Sequence, residues 1–323
     1  MNTPLVSFVL TAFRHAKYID AAVTSCLAQT VRDIEVIVVD DGSNDGTVSK
    51  LSRIDDPRLV VVQQENAGPS IATNRGLSLA RGRFVALMSG DDVCLPDRLE
   101  TQIASMADDA FDAVFARPVL IDEDGGSLPE SSFPQFFEQR ASTSSGELFR
   151  ALFLRRNFLC APAALLRRSA IIECGVFQPA LYQLQDFHMW LRLCSGYRVR
   201  LTDDRVVAYR LRDAGGNLSN DDNLPRTNIE YSWIYHRLLQ ELDSDTMTAA
   251  FGSDLQLWGV QDADADTRRI LVFMLHPEAT IRRYALERLV GRFDLLREDQ
   301  DRITFGDIEV RARELAKMLL AVA

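Results

Sequence analysis

The chain has 323 residues, with 36 lysines and arginines against 46 aspartates and glutamates, for a formal net charge of −10. Hydrophobic residues make up 47% and charged residues 25%, a composition that excludes a disordered chain and allows one large domain or two smaller ones. The acidic balance argues against nonspecific binding to nucleic acid or anionic lipid, although a divalent cation can reverse the local field for a phosphate-bearing ligand.

Leu5–Thr11 is a short apolar run with β-branched and aromatic content, and Ile19, Ala22, Val23, Cys26 and Leu27 then follow at helical spacing. Ile34–Val39 is nearly continuous in apolar residues, as expected for a strand covered on both faces. A polar turn, a short helix and a strand at Leu59–Val62 come next, and Pro69 suits the first turn of a helix reaching about Ala80. Arg83–Met88 is another strand. Pro96 opens a helix with Leu99, Ile103 and Met106 on one face, and Ala113–Ile121 resumes β character. Strands alternating with helices predict parallel βαβ units in a doubly wound α/β sheet, whose ligands bind at the carboxyl ends of the strands. The turns after Val39 and Met88 are therefore the places to look.

From Asp122 to Gly146 the chain reads as a long surface loop. Its Phe133, Phe136 and Phe137 are either a patch folded onto the core or part of an acceptor-binding lid. After Pro225 helical spacing dominates. Ile281, Ala285, Leu286 and Leu289 share one face; Ile308, Ala312, Leu315, Leu319 and Val322 share another, behind a capping box from Thr304 to Asp307. The expected division is thus 1–224 for an α/β domain and 225–323 for a helical appendage. Cys26, Cys94, Cys160, Cys174 and Cys194 are scattered and odd in number, which reads as reduced thiols in a cytoplasmic protein. The first residues show no signal-peptide pattern, and the longest strongly apolar run, Ile270 to Leu275, is far too short to cross a membrane.

Three acidic stretches carry the chemistry. Asp40-Asp41-Gly42-Ser43-Asn44-Asp45-Gly46-Thr47 directly follows a buried strand. Its carboxylates can accept from the N–H groups of a nucleobase or from ribose hydroxyls; the alternative is a polar turn with an Asx-type cap. Asp91 and Asp92 also follow a strand, and two adjacent carboxylates suit Mg²⁺ or Mn²⁺ shared with substrate phosphates. The alternative there is a helix N-terminus enriched in aspartate. Asp186 opens a helix whose Phe187, Trp190, Leu191 and Cys194 share a face; it is either a general base or simply an N-cap.

Taken in order, Val9 to Phe13, Ser25 to Thr30, Asp40 to Thr47, Asn66 to Pro69, Asp91 to Leu99, Gly175 to Phe177 and Asp186 to Arg192 resemble an inverting family 2 glycosyltransferase of the GT-A fold. The resemblance spans roughly residues 5 to 220. It implies a mostly parallel sheet with helices on both faces, and a metal-dependent enzyme using Mn²⁺ or Mg²⁺. Its donor would be a nucleotide-diphosphate sugar, UDP-linked by first expectation. Its acceptor would be a saccharide, a lipid-linked compound or another hydroxyl, in polysaccharide or glycoconjugate synthesis. By the same resemblance Thr11 and Phe13 contact the nucleoside, and Asp40 reads the base with Asp41 in support. Asp92 holds the metal, Asp91 meets the ribose, the donor sugar or the metal, and Asp186 is the catalytic base.

The chain departs from the family pattern at Ser89, where an aspartate is common, at Thr73, which displaces a common arginine and leaves Arg75 as the phosphate contact, and at Gln185, where glutamate is common. These departures keep open a noncatalytic nucleotide-sugar-binding or assembly protein on the same fold. A sugar-1-phosphate nucleotidyltransferase would need a glycine-rich loop that Thr11 to His15 lacks. Arg210 is expected to be solvated or ion-paired, with phosphate contact as the alternative. The pairs Arg155-Arg156 and Arg167-Arg168 are expected to be solvated faces, with peripheral contact at the inner face of the membrane as the alternative. The helical region is open to a role in homo-oligomerisation, acceptor recognition or covering the sheet.

Overall fold

The structure, a computed structural model, describes residues 3–106, 110–129, 132, 141–212 and 223–295. Residues Phe133, Phe136 and Phe137, the segment around Asn217, and the helix expected beyond Thr304 lie outside the described residues. The chain divides into two compact units: Met1–Ser145 with Arg155–Thr227, and Gly146–Leu154 with Asn228–Ala323. The linear division at 224/225 has no place for Gly146–Leu154, which belong to the second unit.

The first unit is built on a sheet of β1 (Val6–Ala12), β2 (Ile34–Asp41), β3 (Leu59–Gln64), β4 (Phe84–Ser89), β5 (Val93–Cys94), β6 (Ala113–Ile121), β7 (Ala164–Arg167) and β8 (Val199–Arg210). Their order is β3-β2-β1-β4-β7-β6-β8-β5. The pairs β3–β2, β2–β1, β1–β4 and β6–β8 are parallel, while β7 and β5 run against their neighbours. The sheet is therefore mixed, with most strands pointing one way. Neither antiparallel strand was expected from the sequence. β7 has four residues and β5 two, too short for a periodicity to show. β8 is interrupted by exposed Asp203 and Asp204, and its pairing with β6 shifts register near Arg117.

The helices α1 (Ile19–Leu27), α2 (Thr47–Leu51), α3 (Pro69–Leu79), α4 (Arg98–Ser105), α6 (Arg168–Glu173) and α7 (Gln185–Gly196) complete this unit, and α5 (Ser145–Arg155) leaves it. Alternation along β1 and β2 sends successive side chains to opposite faces. Phe8, Leu10, Val36 and Val38 join Ile19, Val23, Cys26 and Leu99 in one apolar cluster. On the other face Val9 meets α3 at Gly76, where a Cβ would come within 2.5 Å of the Val9 side chain. The strand order reverses between β1 and β4, so a crevice opens outside their carboxyl ends.

The second unit gathers α8 (Leu224–Glu241), α9 (Ser244–Leu257), α10 (Ala265–Met274) and α11 (Ala279–Leu295) with Gly146–Leu154 of α5. Phe153 is fully buried, with Tyr235, Phe251, Phe273 and His276 packed edge-on around its ring. The Tyr235 hydroxyl donates to the Phe153 carbonyl at 2.7 Å, and His276 Nε2 lies 3.1 Å from the same hydroxyl, so the polar atoms of this aromatic core are paired with each other. Asp243 and Asp264 cap α9 and α10 by accepting from Thr246 N–H and Thr267 N–H. Among the described residues no helix is long and apolar enough to cross a membrane.

Candidate active site

β2 ends on two aspartates that are buried to different purposes. Asp41 is spent within the fold: its Oδ1 accepts from Gln64 Nε2 and Ala67 N–H, and its Oδ2 from Gly68 N–H. It thereby fixes the Asn66-Ala67-Gly68 loop that opens α3. Asp40 is 1% exposed; its Oδ2 takes Ser43 N–H at 3.0 Å and its Oδ1 has no partner among the described residues. The turn beyond is tight. Gly42 has φ +80°, and a Cβ there would strike the Asn66 backbone nitrogen at 2.7 Å. Ser43, Asp45 and Thr47 side chains accept from Arg14, Ala16 and His15 N–H, stitching this turn to the loop after β1. Thr11 pairs in register with Val39 and Ser89, so it lies between the two acidic turns, and Phe13 follows it, half-buried under the Arg14 guanidinium.

The second acidic turn follows β4. Asp91 and Asp92 are 8% and 2% exposed. Ser89, where the family often has an aspartate, donates its hydroxyl to Asp91 Oδ1 at 2.5 Å. His15 Nε2 and Arg212 Nη1 each lie 3.6 Å from Asp91 Oδ2. Burial pushes the His15 imidazole below its ordinary pKa, so it is neutral there at pH 7. Asp92 accepts Arg210 N–H on Oδ1 at 2.8 Å, and its Oδ2 is buried without a partner among the described residues. Burial, and then the neighbouring Asp91 charge, push the Asp92 carboxyl well above the usual range.

Arg210 corrects its sequence expectation. It is buried rather than solvated. It is 4% exposed, and its guanidinium donates to the carbonyls of Asp91, Asp122 and Glu123 while lying 4.8 Å over the Tyr18 ring. It clamps the acidic turn to the start of the loop after β6. Arg98 is a second buried arginine. Its guanidinium donates to the carbonyls of Leu87 and Ala164 and approaches Cys94 Sγ at 3.2 Å. Burial works against ionising Cys94. The Cys26 hydrogen bond and the Arg98 charge outweigh it, so the thiol comes down to about 6.

Asp186 stands in the first turn of α7, half-buried. Its Oδ1 accepts Phe187 N–H at 2.7 Å and its Oδ2 accepts Asn157 Nδ2 at 2.8 Å. The helix is held by Phe187, Trp190 and Leu191, all fully or nearly fully buried. The segment before α7 packs on the α3 opening: Ser70 Oγ donates to the Leu181 carbonyl at 2.5 Å, and the Tyr182 ring lies where a Gly68 side chain would stand. Cys160 links Asp186 to the acidic turn. Its thiol is pushed up by burial and then by the Asp92 charge, with Asp186 adding to it. Gln185 Oε1, beside the candidate base, is buried without a partner among the described residues.

The structure thus brings Thr11, Phe13, Asp40, Asp41, Asp91 and Asp92 to one end of the sheet. Arg75 is different: it stands on the exposed face of α3, while the adjacent Asn74 pins Phe177 by two hydrogen bonds. Sequence reading missed Asn157 altogether, since nothing in its local pattern marks it.

Among the described residues no group of three or more His, Cys, Asp or Glu side chains is placed to hold a metal ion. The acidic pair nonetheless fits one. A buried carboxylate oxygen lacks a donor, the charge of its neighbour opposes ionisation, and a hard divalent cation shared with phosphates and water relieves both.

An open α/β sheet with four carboxylates at the carboxyl ends of its strands is the frame of a GT-A glycosyltransferase. Residues 7–175 match the family described as Glycosyl transferase family 2, and the chain belongs to that family. An uncharacterised glycosyltransferase of Rickettsia felis is 28% identical over 245 residues, 74% of this chain and 39% of that one. The succinoglycan biosynthesis protein ExoO of Rhizobium meliloti is 34% identical over 170 residues, 48% of this chain and 49% of that one. The chain therefore spans less than half the length of these relatives. Among solved structures, S. aureus TarS residues 1–349 in complex with UDP-GlcNAc aligns with a TM-score of 0.59 at 18% identity, covering 88% of this chain and 80% of that one. The mannosyltransferase PcManGT from Pyrobaculum calidifontis, in complex with GDP-Man and Mn²⁺, aligns at 0.53 and 17%, covering 91% and 88%. At these identities the likeness establishes the fold.

Proposed function

We propose that the chain is a metal-dependent inverting glycosyltransferase that moves a sugar from a nucleotide-diphosphate sugar to a hydroxyl acceptor. The observation that carries this is the pair of buried carboxylate oxygens without partners among the described residues, Asp40 Oδ1 and Asp92 Oδ2, at the strand ends flanking the switch point. A fold leaves such atoms unmet at a cost of about 1–3 kcal/mol each, and a bound ligand removes that cost. Asp40 Oδ1 accepts from an N–H of the base, with Thr11 and Phe13 beside it. Asp41 acts one step back by fixing the Gly68 loop. Asp91 and Asp92 would hold Mn²⁺ or Mg²⁺, which when bound neutralises charge on the departing diphosphate. Asp186 takes the proton from the acceptor hydroxyl as that oxygen attacks the anomeric carbon from the face opposite the nucleotide. The sugar carbon is inverted in one displacement, so no enzyme nucleophile is needed.

The neighbours' UDP-GlcNAc and GDP-Man make these the first donors to test, and the ExoO name supports an acceptor in polysaccharide synthesis. The free cysteines support a reducing compartment, the cytoplasm. Thermal melts with UDP-, GDP- and dTDP-sugars, with and without Mn²⁺, test the reading together with nucleotide release. One donor is expected to raise Tm only when Mn²⁺ is present, and to be slowly hydrolysed. No stabilisation by any donor overturns the nucleotide-sugar reading. Stabilisation with no turnover in any acceptor mixture favours the noncatalytic alternative.

A further inference from the structure

We propose that Asn157 is the positioning residue of Asp186, its side-chain amide fixing the carboxylate that serves as base; this rests on the reading of Asp186 given above. The amide is held at both ends. Its Nδ2 donates to Asp186 Oδ2 at 2.8 Å, and its Oδ1 accepts Leu159 N–H at 3.2 Å. The second bond decides which end faces Asp186, because an amide that accepts from Leu159 must turn its donor outward. The preceding residue, Arg156, has φ +69°, an uncommon conformation for a side chain of its size. The loop is thus turned sharply just where it presents Asn157. Three residues on, Cys160 lies within the fields of both Asp92 and Asp186.

The chemical consequence follows from how a carboxylate abstracts a proton. Rotation about its last bond sweeps the accepting lone pairs away from the incoming hydroxyl. At Asp186 the Phe187 N–H holds one oxygen and the Asn157 amide holds the other. The plane is set before substrate arrives.

The test compares two substitutions with opposite structural side effects. Asn157→Ala removes both hydrogen bonds. Asn157→Asp keeps an oxygen for Leu159 N–H and replaces only the donor facing Asp186, now with a like charge. The readout is nucleotide release from whichever of UDP-GlcNAc or GDP-Man is turned over with Mn²⁺. Both variants are expected to lower kcat about 10- to 100-fold, Asn157→Asp at least as much as Asn157→Ala, with donor KM within about threefold of wild type. In an Asp186→Asn background, Asn157→Ala should cost nothing more. If Asp186→Asn abolishes turnover while both Asn157 variants keep kcat within about twofold, the positioning role is wrong and the base stands. If Asn157→Asp is near wild type and only Asn157→Ala is impaired, with Tm falling alongside, Asn157 is a loop anchor and the inference fails. If Asp186→Asn itself keeps full turnover, or neither donor is turned over, the reading beneath it fails.

Discussion

Glu35 and Asp40 lie on the same strand, β2, at its two ends, and both are buried in the same sheet. Glu35 accepts from Ser7 Oγ, from Arg81 N–H and from Arg81 Nε and Nη2, so its two oxygens meet four donors. Burial alone would raise its pKa; the Ser7 and Arg81 donors outweigh it and hold the carboxyl below the usual range. Asp40 meets one backbone N–H, and its other oxygen has no partner among the described residues. The difference separates a carboxylate kept for stability from one kept for a ligand. Glu35 is closed within the fold, and Asp40 is left short of donors among the described residues.

The largest break in this comparison comes from Asp186→Asn, which should reduce turnover by about 10²- to 10⁴-fold while leaving Tm and donor binding largely intact. Nucleotide-release kinetics beside a binding isotherm check it. Next is Glu35→Gln, expected to cost about 2 kcal/mol of stability in urea unfolding at pH 7 with kcat and KM unchanged. The sign with pH is fixed by the depressed folded-state value. The Glu35 contribution is fully present above its unfolded pKa of 4.5 and is lost as the pH falls through and below that value. The gap between wild type and Glu35→Gln should therefore shrink between pH 6 and about pH 3. Asp40→Asn should do the reverse at pH 7: donor KM rises about tenfold, and stability stays level or improves, since a buried charge with a bare oxygen has been removed. A fall in Tm as large as that of Glu35→Gln would erase the distinction between the two ends. The smallest effect belongs to Arg75→Ala. An arginine exposed on α3 should change donor KM by less than about twofold, whereas a true phosphate contact would cost tenfold or more.

The parts of the fold that were legible in the sequence are those built from local pattern. Apolar runs announced β1 to β4 and β6, and Pro69 announced α3. The acidic turns were visible because each follows a buried strand directly. What stayed hidden depends on partners far along the chain. Arg210 looks like a surface cation, yet its burial is supported by carbonyls 87 to 119 residues away. Asn157 meets Asp186 across 29 residues from a loop with no periodicity. Asp41 and Asp40 are adjacent and chemically identical, and only the position of the Gly68 loop tells which of them is already satisfied.

The second unit is not continuous in sequence, and this bears on synthesis. Phe153 leaves the ribosome 82 residues ahead of Tyr235, whose hydroxyl caps its carbonyl. Phe251 and Phe273 emerge later still. Through that interval the apolar face of α5, with Phe149, Leu152 and Phe153, has none of these partners to cover it. A truncated chain ending near residue 224 makes that interval permanent, so it would aggregate through α5 before it could report on anything else. A soluble short form must therefore lose Gly146–Leu154 as well, bridged by a linker between 145 and 155.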